Sequence, residues 1–194
     1  MDTSPPVIDS SSVGDETRFP DFAGLTEAFE SLAAAPLDRG RLVHLVRRGE
    51  GGRREVLEQA RLTPEDGLPG DAWGRRLPLA PESQITVMQI DVATLVANGQ
   101  PLGLFGDNLF VDLDLSNENL PIGSRVRIGS ALLVVTPKPH NGCSKFRARF
   151  GHEALRFVSR PETRHRNLRG IHVRVLEPGE IRLDDLVEIV SRGG

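Results

Sequence analysis

Short runs of apolar residues, separated by polar and turn-forming ones, make up most of the chain beyond residue 40. Alternation of apolar and polar residues with a period of two is typical of a β-strand with one buried face, and glycine or proline bounds most of these runs. The run at 131–136 is almost entirely apolar, which suits a strand that is buried on both faces. We predict strands at residues 42–46, 54–60, 84–90, 108–113, 125–128, 131–136, 171–175 and 186–190.

Helical periodicity is confined to a few short segments. Between residues 22 and 32 the large apolar side chains recur every three or four positions, which predicts a helix that Asp21 caps. Shorter helices are predicted at residues 92–97 and between residues 146 and 158. Many short strands with few helices predict a mainly β fold with minor α, a closed or nearly closed β-barrel with short peripheral helices.

The same pattern divides the chain into three parts. Residues 1–17 are rich in Ser, Pro, Asp and Thr and hold few large apolar groups, so they cannot offset the entropy of ordering and we predict a disordered tail. Residues 18–40 are expected to form an N-terminal helical extension on the outside of the main domain. Residues 41–192 hold all of the predicted strands and are expected to form one β-barrel domain.

Composition narrows the class of protein. A formal net charge of −3 and a pI of about 6.0 show no excess of basic residues, so we expect no nucleic-acid partner. No apolar run approaches the roughly 20 residues of a membrane span, so no membrane insertion is expected. The first residues have neither a basic start nor an apolar stretch, which predicts the absence of a secretory signal and a cytoplasmic location.

The single cysteine, Cys143, limits the chemistry further. One thiol excludes an intramolecular disulfide and a cysteine-rich zinc site within the chain. Of the 24 basic residues only Lys138 and Lys145 are lysines, and they flank the cysteine. The pair is either a coincidence of an arginine-rich composition or part of a cationic pocket around the thiol.

The segment 136–146 carries the strongest indication of a functional site. It follows the predicted apolar strand, its prolines stiffen the backbone, and the glycine before the cysteine permits a sharp turn. Cys143 is therefore predicted near the start of a helix. There the backbone amides, with Lys138, His140 and Lys145, would stabilise a thiolate. Such a thiolate is a nucleophile or a ligand for a soft metal, whereas an inert buried cysteine is the structural alternative.

Five blocks of sequence and a closing stretch, taken in order, resemble the MOSC domain family. Any single block is weak, but their order and spacing over about residues 41–190 make the resemblance strong. The blocks lie at residues 67–71 (GLPGD), 83–88 (SQITVM), 106–109 (GDNL), 120–129 (LPIGSRVRIG) and 136–146 (TPKPHNGCSKF), and the closing stretch lies at 170–181 (GIHVRVLEPGEI). The resemblance implies a β-barrel with a cleft that contains the cysteine.

The resemblance also implies roles for individual positions. Cys143 corresponds to the family's cysteine, through which some members bind molybdenum cofactor and reduce N-hydroxylated compounds, while others carry sulfur. Asp71 corresponds to the acidic residue of a GxxGD block, and Asn108 to the asparagine of a GxNL block. We expect molybdenum at Cys143, catalytic roles for Cys143, His140, Lys145 and Asp71, and cofactor contacts from Lys138, Asn108, Asn141 and Asp71.

The chain departs from the family pattern at three places. A basic residue or histidine usually follows the GxxGD block, an arginine often precedes the stretch that corresponds to residues 84–88, and a QPR-type segment often precedes the cysteine. Here those places hold Ala72 and Trp73, Ser83, and residues 137–140. The changes remove cations that would hold a pterin phosphate, and Lys138, His140 and Lys145 are expected to replace them.

Two functions from different classes follow. In the first, the chain is a molybdenum-cofactor-linked protein, either a sulfur carrier or a reductase that receives electrons from a separate donor protein, because the sequence shows no flavin, haem or iron–sulfur motif. The family as a whole is associated with pyridoxal phosphate, but neither lysine lies in a Schiff-base context, so no self-contained site for it is expected. In the second, the barrel is a non-catalytic module that binds a small anion or a partner, and Cys143 is a packed core residue.

Overall fold

Ten strands and three α-helices form the described part of this computed structural model, which is residue 8 and residues 11–193. The strands are β1 (Arg39–Arg48), β2 (Arg54–Val56), β3 (Gln59–Leu62), β4 (Ile85–Gln89), β5 (Leu109–Val111), β6 (Arg125–Ile128), β7 (Ala131–Val135), β8 (Ile171–Glu177), β9 (Gly179–Arg182) and β10 (Leu186–Ser191). The helices are α1 (Phe22–Glu30), α2 (Ile90–Ala97) and α3 (Ser144–Val158). Short 3-10 helices occur in the connections, and Pro161–Arg166 is the longest of those described.

Seven of these strands close into a barrel. Hydrogen bonding runs in the order β1, β10, β6, β7, β8, β4, β5 and back to β1, with β4 and β5 parallel and the other described pairs antiparallel. β2 pairs with the end of β1, and β3 pairs with β9 in a separate two-stranded sheet. This closure confirms the predicted mainly β fold, and it places β4 between β5 and β8.

Apolar side chains fill the barrel, and a second apolar layer lies outside it. β6 follows the predicted alternation, since Val126 and Ile128 are buried in the interior. β4 is buried on both faces, because Val87 belongs to the interior cluster and Met88 to the outer cluster, which also holds Phe150 of α3. At roughly 25 cal/mol per Å² of buried apolar surface, these two clusters are the main source of stability.

Helix α3 lies in the outer layer and is interrupted at one residue. Gly151 has a φ of +89°, a conformation that L side chains rarely adopt, and a Cβ there would lie 2.9 Å from the ring of Phe19. The interruption leaves residues 144–150 as the first helical segment, so Cys143 precedes two turns of helix rather than a long one.

The N-terminal segment contacts α3 where the sequence predicted a disordered tail. The backbone N–H of Gly14 donates to Ala148 O at 3.0 Å, and that of Asp15 donates to Gln100 Oε1 at 2.8 Å. Residues 11–17 therefore lie against the domain, because hydrogen bonds to it satisfy backbone groups of a segment with little apolar surface to bury. Residues 1–7, 9 and 10 of the predicted tail lie outside the described residues.

Most of the predicted elements are present with shifted limits. α1 begins after Asp21, whose carboxylate accepts a hydrogen bond from Gly24 N at 2.8 Å, as predicted. The predicted strand 54–60 is two strands, because β2 pairs with β1 whereas β3 pairs with β9, and β9 itself was not predicted. None of the helices in the described part of the chain has both the length and the apolar character that crossing a membrane requires.

We expect Leu133→Ala to lower the free energy of unfolding by about 2–5 kcal/mol, because its truncation leaves a cavity inside the barrel. The matched control is Leu37→Ala, which removes the same atoms from a side chain that is 56% exposed and should change stability by about 0.5 kcal/mol or less. Urea unfolding measures both variants. Equal losses would contradict the placement of Leu133 in the core.

Candidate functional site

A cleft of about 490 Å³ opens beside the barrel where the chain leaves β7. One wall is the end of β7 with the loop that follows, residues 135–141, and the other is the segment that joins α3 to β8, residues 158–171. Thr136 links the first wall to the loop before β4, because its hydroxyl donates a hydrogen bond to Glu82 O at 2.6 Å. The cleft thus lies at the boundary between a barrel strand and the helical layer.

Cations dominate the walls of this cleft. They are Lys138 on one wall and Arg160, Arg164 and Arg169 on the other, and none of the described residues that line the cleft is acidic. Among the ion pairs within the described chain, Arg169 alone of these four has an acidic partner. The walls therefore present uncompensated positive charge, which favours an anionic ligand.

Asp107 and Arg169 form a buried ion pair at the inner end of the cleft. Arg169 Nη1 donates to Asp107 Oδ2 at 2.6 Å, and the side chains are 8% and 1% exposed. His140 Nε2 lies 3.4 Å from the other carboxylate oxygen, Oδ1. The ring centroids of His140 and His172 are 4.5 Å apart, and His172 Nδ1 donates to Lys138 O at 3.1 Å. The inner end is therefore polar and closely packed.

Burial keeps both histidines of this cluster neutral. It lowers the pKa of His140 well below the ordinary value of 6.5, and the positive charge of Arg169 lowers that pKa further. Burial also lowers the pKa of His172, although its hydrogen bond to Lys138 O opposes the shift. At neutral pH each ring offers one N–H and one lone-pair nitrogen rather than a charge.

Buried polar atoms that lack a hydrogen-bond partner concentrate at this cleft. The described residues contain six such side-chain atoms. Three belong to residues that line the cleft, namely His140 Nδ1, Arg160 Nε and Arg169 Nε, and a fourth, Asp107 Oδ1, faces His140. Because nearly all buried polar groups in folded proteins are paired with protein or ordered water, this concentration marks a place where water or a ligand completes the hydrogen bonding.

Cys143 is exposed to solvent and lies outside the set of residues that line the cleft. It is the residue before the first turn of α3, as predicted, but its side chain makes no capping hydrogen bond. Asn141 does line the cleft, and two residues of backbone span at most roughly 7 Å. Lys145 is exposed in the first turn of α3. The alternative in which Cys143 is a packed core residue is therefore wrong.

Asp71 and Asn108 belong to a different, buried network. The Asp71 carboxylate accepts hydrogen bonds from Arg48 N at 2.8 Å, Arg48 Nε at 3.0 Å and Trp73 N at 3.0 Å. Asn108 Nδ2 donates to the same carboxylate at 3.0 Å, and Asn108 Oδ1 accepts from the hydroxyl of Thr86 at 3.1 Å. The protein itself thus satisfies both side chains, and neither needs a ligand.

The structure brings together only part of the predicted site. The residues that line the cleft are Lys138, His140 and Asn141, and those that do not are Asp71, Asn108, Cys143 and Lys145. The catalytic role predicted for Asp71 and the cofactor contacts predicted for Asp71 and Asn108 stay predictions, and groups of the protein already hydrogen-bond to both side chains.

Four residues of the cleft and its inner end were missed by sequence reasoning. They are Asp107, Arg160, Arg164 and Arg169. Asp107 is the variable position of the block at 106–109, and the arginines belong to a basic run at 160–169 that is typical of a solvated face. The density of arginines in that run was the one signal available, and it does not distinguish a cleft from a surface.

A closed barrel with a cationic cleft next to a cysteine-bearing loop is the class of protein that these observations define. The sequence profile of the MOSC domain matches residues 72–188. The chain belongs to the MOSC domain family, which is associated with the molybdenum cofactor. The match begins after β1, the strand whose pairing with β5 and β10 closes the barrel.

Three solved structures of other proteins share this architecture. YuaD from Bacillus subtilis has a TM-score of 0.57 and 17% identity, with 80% of this chain and 97% of that one covered. YiiM from Escherichia coli has a TM-score of 0.54 and 24% identity, with 79% and 71% covered. YiiM from Geobacillus stearothermophilus has a TM-score of 0.51 and 18% identity, with 82% and 77% covered. These likenesses show the fold alone. No curated protein sequence matches the chain significantly.

The ionisation of Asp71 is coupled to folding. Burial by itself would raise the pKa of this carboxyl, but the hydrogen bonds and charge of Arg48 outweigh burial and lower the pKa below its ordinary value of 3.8. Folding therefore favours the ionised form. The resulting stabilisation is present above the pKa of the unfolded chain and is lost as the pH falls through the lower pKa of the folded protein.

We expect Asp71→Asn to lower the free energy of unfolding at neutral pH by about 3–5 kcal/mol, because Arg48 loses its buried counter-ion. The difference from the wild type should shrink as the pH falls from about 4, near the pKa of the unfolded chain, through the lower pKa of the folded protein, where the wild-type carboxyl also loses its charge. Urea unfolding as a function of pH measures this.

The matched control for Asp71→Asn is Glu180→Gln, which breaks an ion pair with Arg61 in which both side chains are more than half exposed. Its loss should be under about 1 kcal/mol. A loss as small in Asp71→Asn would show that the buried pair does not stabilise the fold.

Proposed function

We propose that this chain binds molybdenum cofactor, or a related anionic organic cofactor, in the cationic cleft, and that Cys143 serves as molybdenum ligand or sulfur carrier. The observation that carries the proposal is the composition of the walls. Four cations line a cleft in which no described lining residue is acidic. Such a donor set suits a ligand that carries a phosphate.

The dimensions and the polar groups of the cleft fit a pterin phosphate. The volume of about 490 Å³ lies within the ordinary range for cofactor sites, roughly 300–1,000 Å³. Arginine forms bidentate hydrogen bonds with phosphate, and Lys138 adds a point charge on the opposite wall. The amide of Asn141 and the ring of His140 supply neutral hydrogen-bonding groups for the organic part.

Cys143 has the chemistry that a soft metal or a transferable sulfur requires. Its thiol is exposed and lies two residues beyond a lining residue, Asn141. A thiolate is a ligand for soft metals and a nucleophile toward sulfur. When bound, the cofactor would supply the two-electron redox chemistry of molybdenum, and the residues of this chain would bind it and orient it.

We further propose that the reductase form of this function acts on N-hydroxylated compounds. Reductive cleavage of an N–O bond consumes two electrons and two protons and releases an amine and water. The sequence contains no flavin, haem or iron–sulfur motif, so a separate donor protein would supply the electrons. His140 is the lining side chain that can hold or release a proton at a ring nitrogen.

One observation favours a second function, the binding of a small anion without chemistry. The thiol of Cys143 is not part of the lining of the cleft, whereas the four cations are. In that case the barrel would be a binding module, and the cysteine would be a solvent-exposed bystander. The two functions differ in one prediction: loss of the Cys143 thiol removes the bound molybdenum or sulfur in the first function, whereas it leaves anion binding unchanged in the second.

We expect the protein to carry molybdenum and a pterin mass when it is produced in a host that makes molybdenum cofactor, because the cationic walls would hold the phosphate and the thiol would bind the metal. Cys143→Ala should lose the molybdenum. Native mass spectrometry with metal analysis measures both, and a mass increase of one sulfur atom on Cys143 would instead indicate the sulfur carrier.

The matched control for Cys143→Ala is Ser144→Ala, a substitution of the exposed neighbour that should leave molybdenum unchanged. Both variants should unfold within about 0.5 kcal/mol of the wild type, since both side chains are exposed. Equal molybdenum in wild type and Cys143→Ala would exclude the cysteine as ligand. A wild-type protein with neither molybdenum, pterin nor added sulfur would contradict the first function and leave the binding module.

A further inference from the structure

Helix α3 consists of two segments, and the N-terminal part of the chain packs where they join. Gly151, at φ +89°, separates residues 144–150 from residues 151–158. The ring of Phe19 lies against this joint, because a Cβ on Gly151 would be only 2.9 Å from it. Residues 11–19, which we term the N-terminal strap, therefore contact the point at which a change in backbone dihedral angles swings one segment relative to the other.

The N-terminal strap also caps the end of the first segment. The last carbonyl groups of a helical segment have no partner inside that segment. Gly14 N donates to Ala148 O at 3.0 Å. Gln100 connects the strap to the next carbonyl, because its Oε1 accepts from Asp15 N at 2.8 Å and its Nε2 donates to Arg149 O at 3.2 Å. The strap and Gln100 thus stabilise the end of the segment that the interruption leaves open.

The same segment carries Cys143 at its other end. Its first turn includes a hydrogen bond from Arg147 N to Cys143 O at 3.0 Å. Cys143 and Ala148 are five residues apart, which is about 7.5 Å along a helix axis. The gap between the strap and the helix is lined by Val13 on one side and by Ser144, the residue after the cysteine, on the other. The strap therefore lies along the whole of the short segment that follows the thiol.

The strap buries little of its own surface. None of its residues belongs to the buried class, and Val13 is 71% exposed. A segment with little buried apolar surface and solvent-exposed backbone opens at a lower free energy than the core of the protein. The strap can therefore leave α3 without unfolding the barrel.

We propose that the N-terminal strap is a conformational latch on the loop that carries Cys143. The docked strap fixes the joint at Gly151 and the end of the first segment, so the thiol keeps its position beside the cleft. Release of the strap frays that segment and loosens the joint, and Cys143 becomes mobile. Gly142 packs directly on Leu155 of the second segment, so movement at the joint reaches the loop from both sides. This inference goes beyond the proposed function, because it requires no ligand.

Gly14→Ala releases the strap without changing α3, because a Cβ on Gly14 would overlap Arg149 O and lie 2.8 Å from Gln100 Oε1. The backbone amides of residues 147–150 should then exchange with solvent about three- to tenfold faster, since loss of one net hydrogen bond changes an equilibrium constant by about that factor. The matched control is Gly74→Ala, where a Cβ meets nothing within 4 Å. Hydrogen exchange measured by NMR should show no change in that control.

The link to the thiol is tested with a nitroxide label on Cys143. The chain has no other cysteine, so the label reports on this loop alone. Electron paramagnetic resonance should show a more mobile label in Gly14→Ala than in the wild type or Gly74→Ala. Equal mobility in all three proteins would overturn the proposal, because the strap would then have no effect on the thiol.

Phe19→Ala removes the ring from the joint and is the second test. It should increase the mobility of the label, whereas Val13→Ala, which truncates an exposed side chain of the same strap, should not. If Gly14→Ala does not fold, this pair decides.

The exchange rate of a barrel amide separates a local latch from general destabilisation. The amide of Leu133 in β7 should exchange at the wild-type rate in every variant. Acceleration there by the same factor as at residues 147–150 would overturn the latch, because the strap would then stabilise the whole fold. Molybdenum content does not enter these measurements. Failure of the latch therefore leaves the proposed function intact, and a protein without molybdenum leaves the latch intact.

Discussion

The buried ion pair between Asp107 and Arg169 is the contact on which the cleft depends. It joins residues 62 positions apart, one just before β5 and the other just before β8. The guanidinium passes β4 with its Nη1 3.7 Å from Met88 Sδ. Two charges removed from water cost several kcal/mol each unless they stay paired, so the segments that carry them cannot separate freely. The wall formed by residues 158–171 is thereby fixed to the barrel.

Two consecutive residues just before β5, Asp107 and Asn108, belong to two different networks. Asp107 pairs with Arg169 at the cleft, whereas Asn108 donates to Asp71 at 3.0 Å. Asp71 in turn binds Arg48 of β1, so the network attaches the loop before β4 to the strand that closes the barrel. Asp71 and Asn108, which match the family pattern, therefore stabilise the fold. Asp107, the variable position beside Asn108, shapes the cleft through its ion pair with Arg169.

The overall charge of the chain conceals the character of its cleft. Residues 138–169 contain nine of the 24 basic residues but only two of the 27 acidic ones. The remainder of the chain is correspondingly acidic, which makes the formal net charge −3. A ligand in the cleft experiences the nearby cations rather than this average, because charges farther away than about 8–10 Å are largely screened at physiological ionic strength. The composition therefore shows that the chain as a whole is not basic, but it does not exclude a local cluster of cations such as the one in the cleft.

The amino-acid sequence by itself determined most of the strands, the cap of α1 and the position of Cys143 before a helix, because these depend on periodicity and on neighbours a few residues away. It also placed Lys138 and His140 in one loop. Only the tertiary structure decided that Asp71 forms an ion pair with Arg48, and that Arg169 and His140 both contact the carboxylate of Asp107. Those contacts join residues that are far apart in the chain, and they form only when the barrel closes. The pattern of a single segment does not predict that closure.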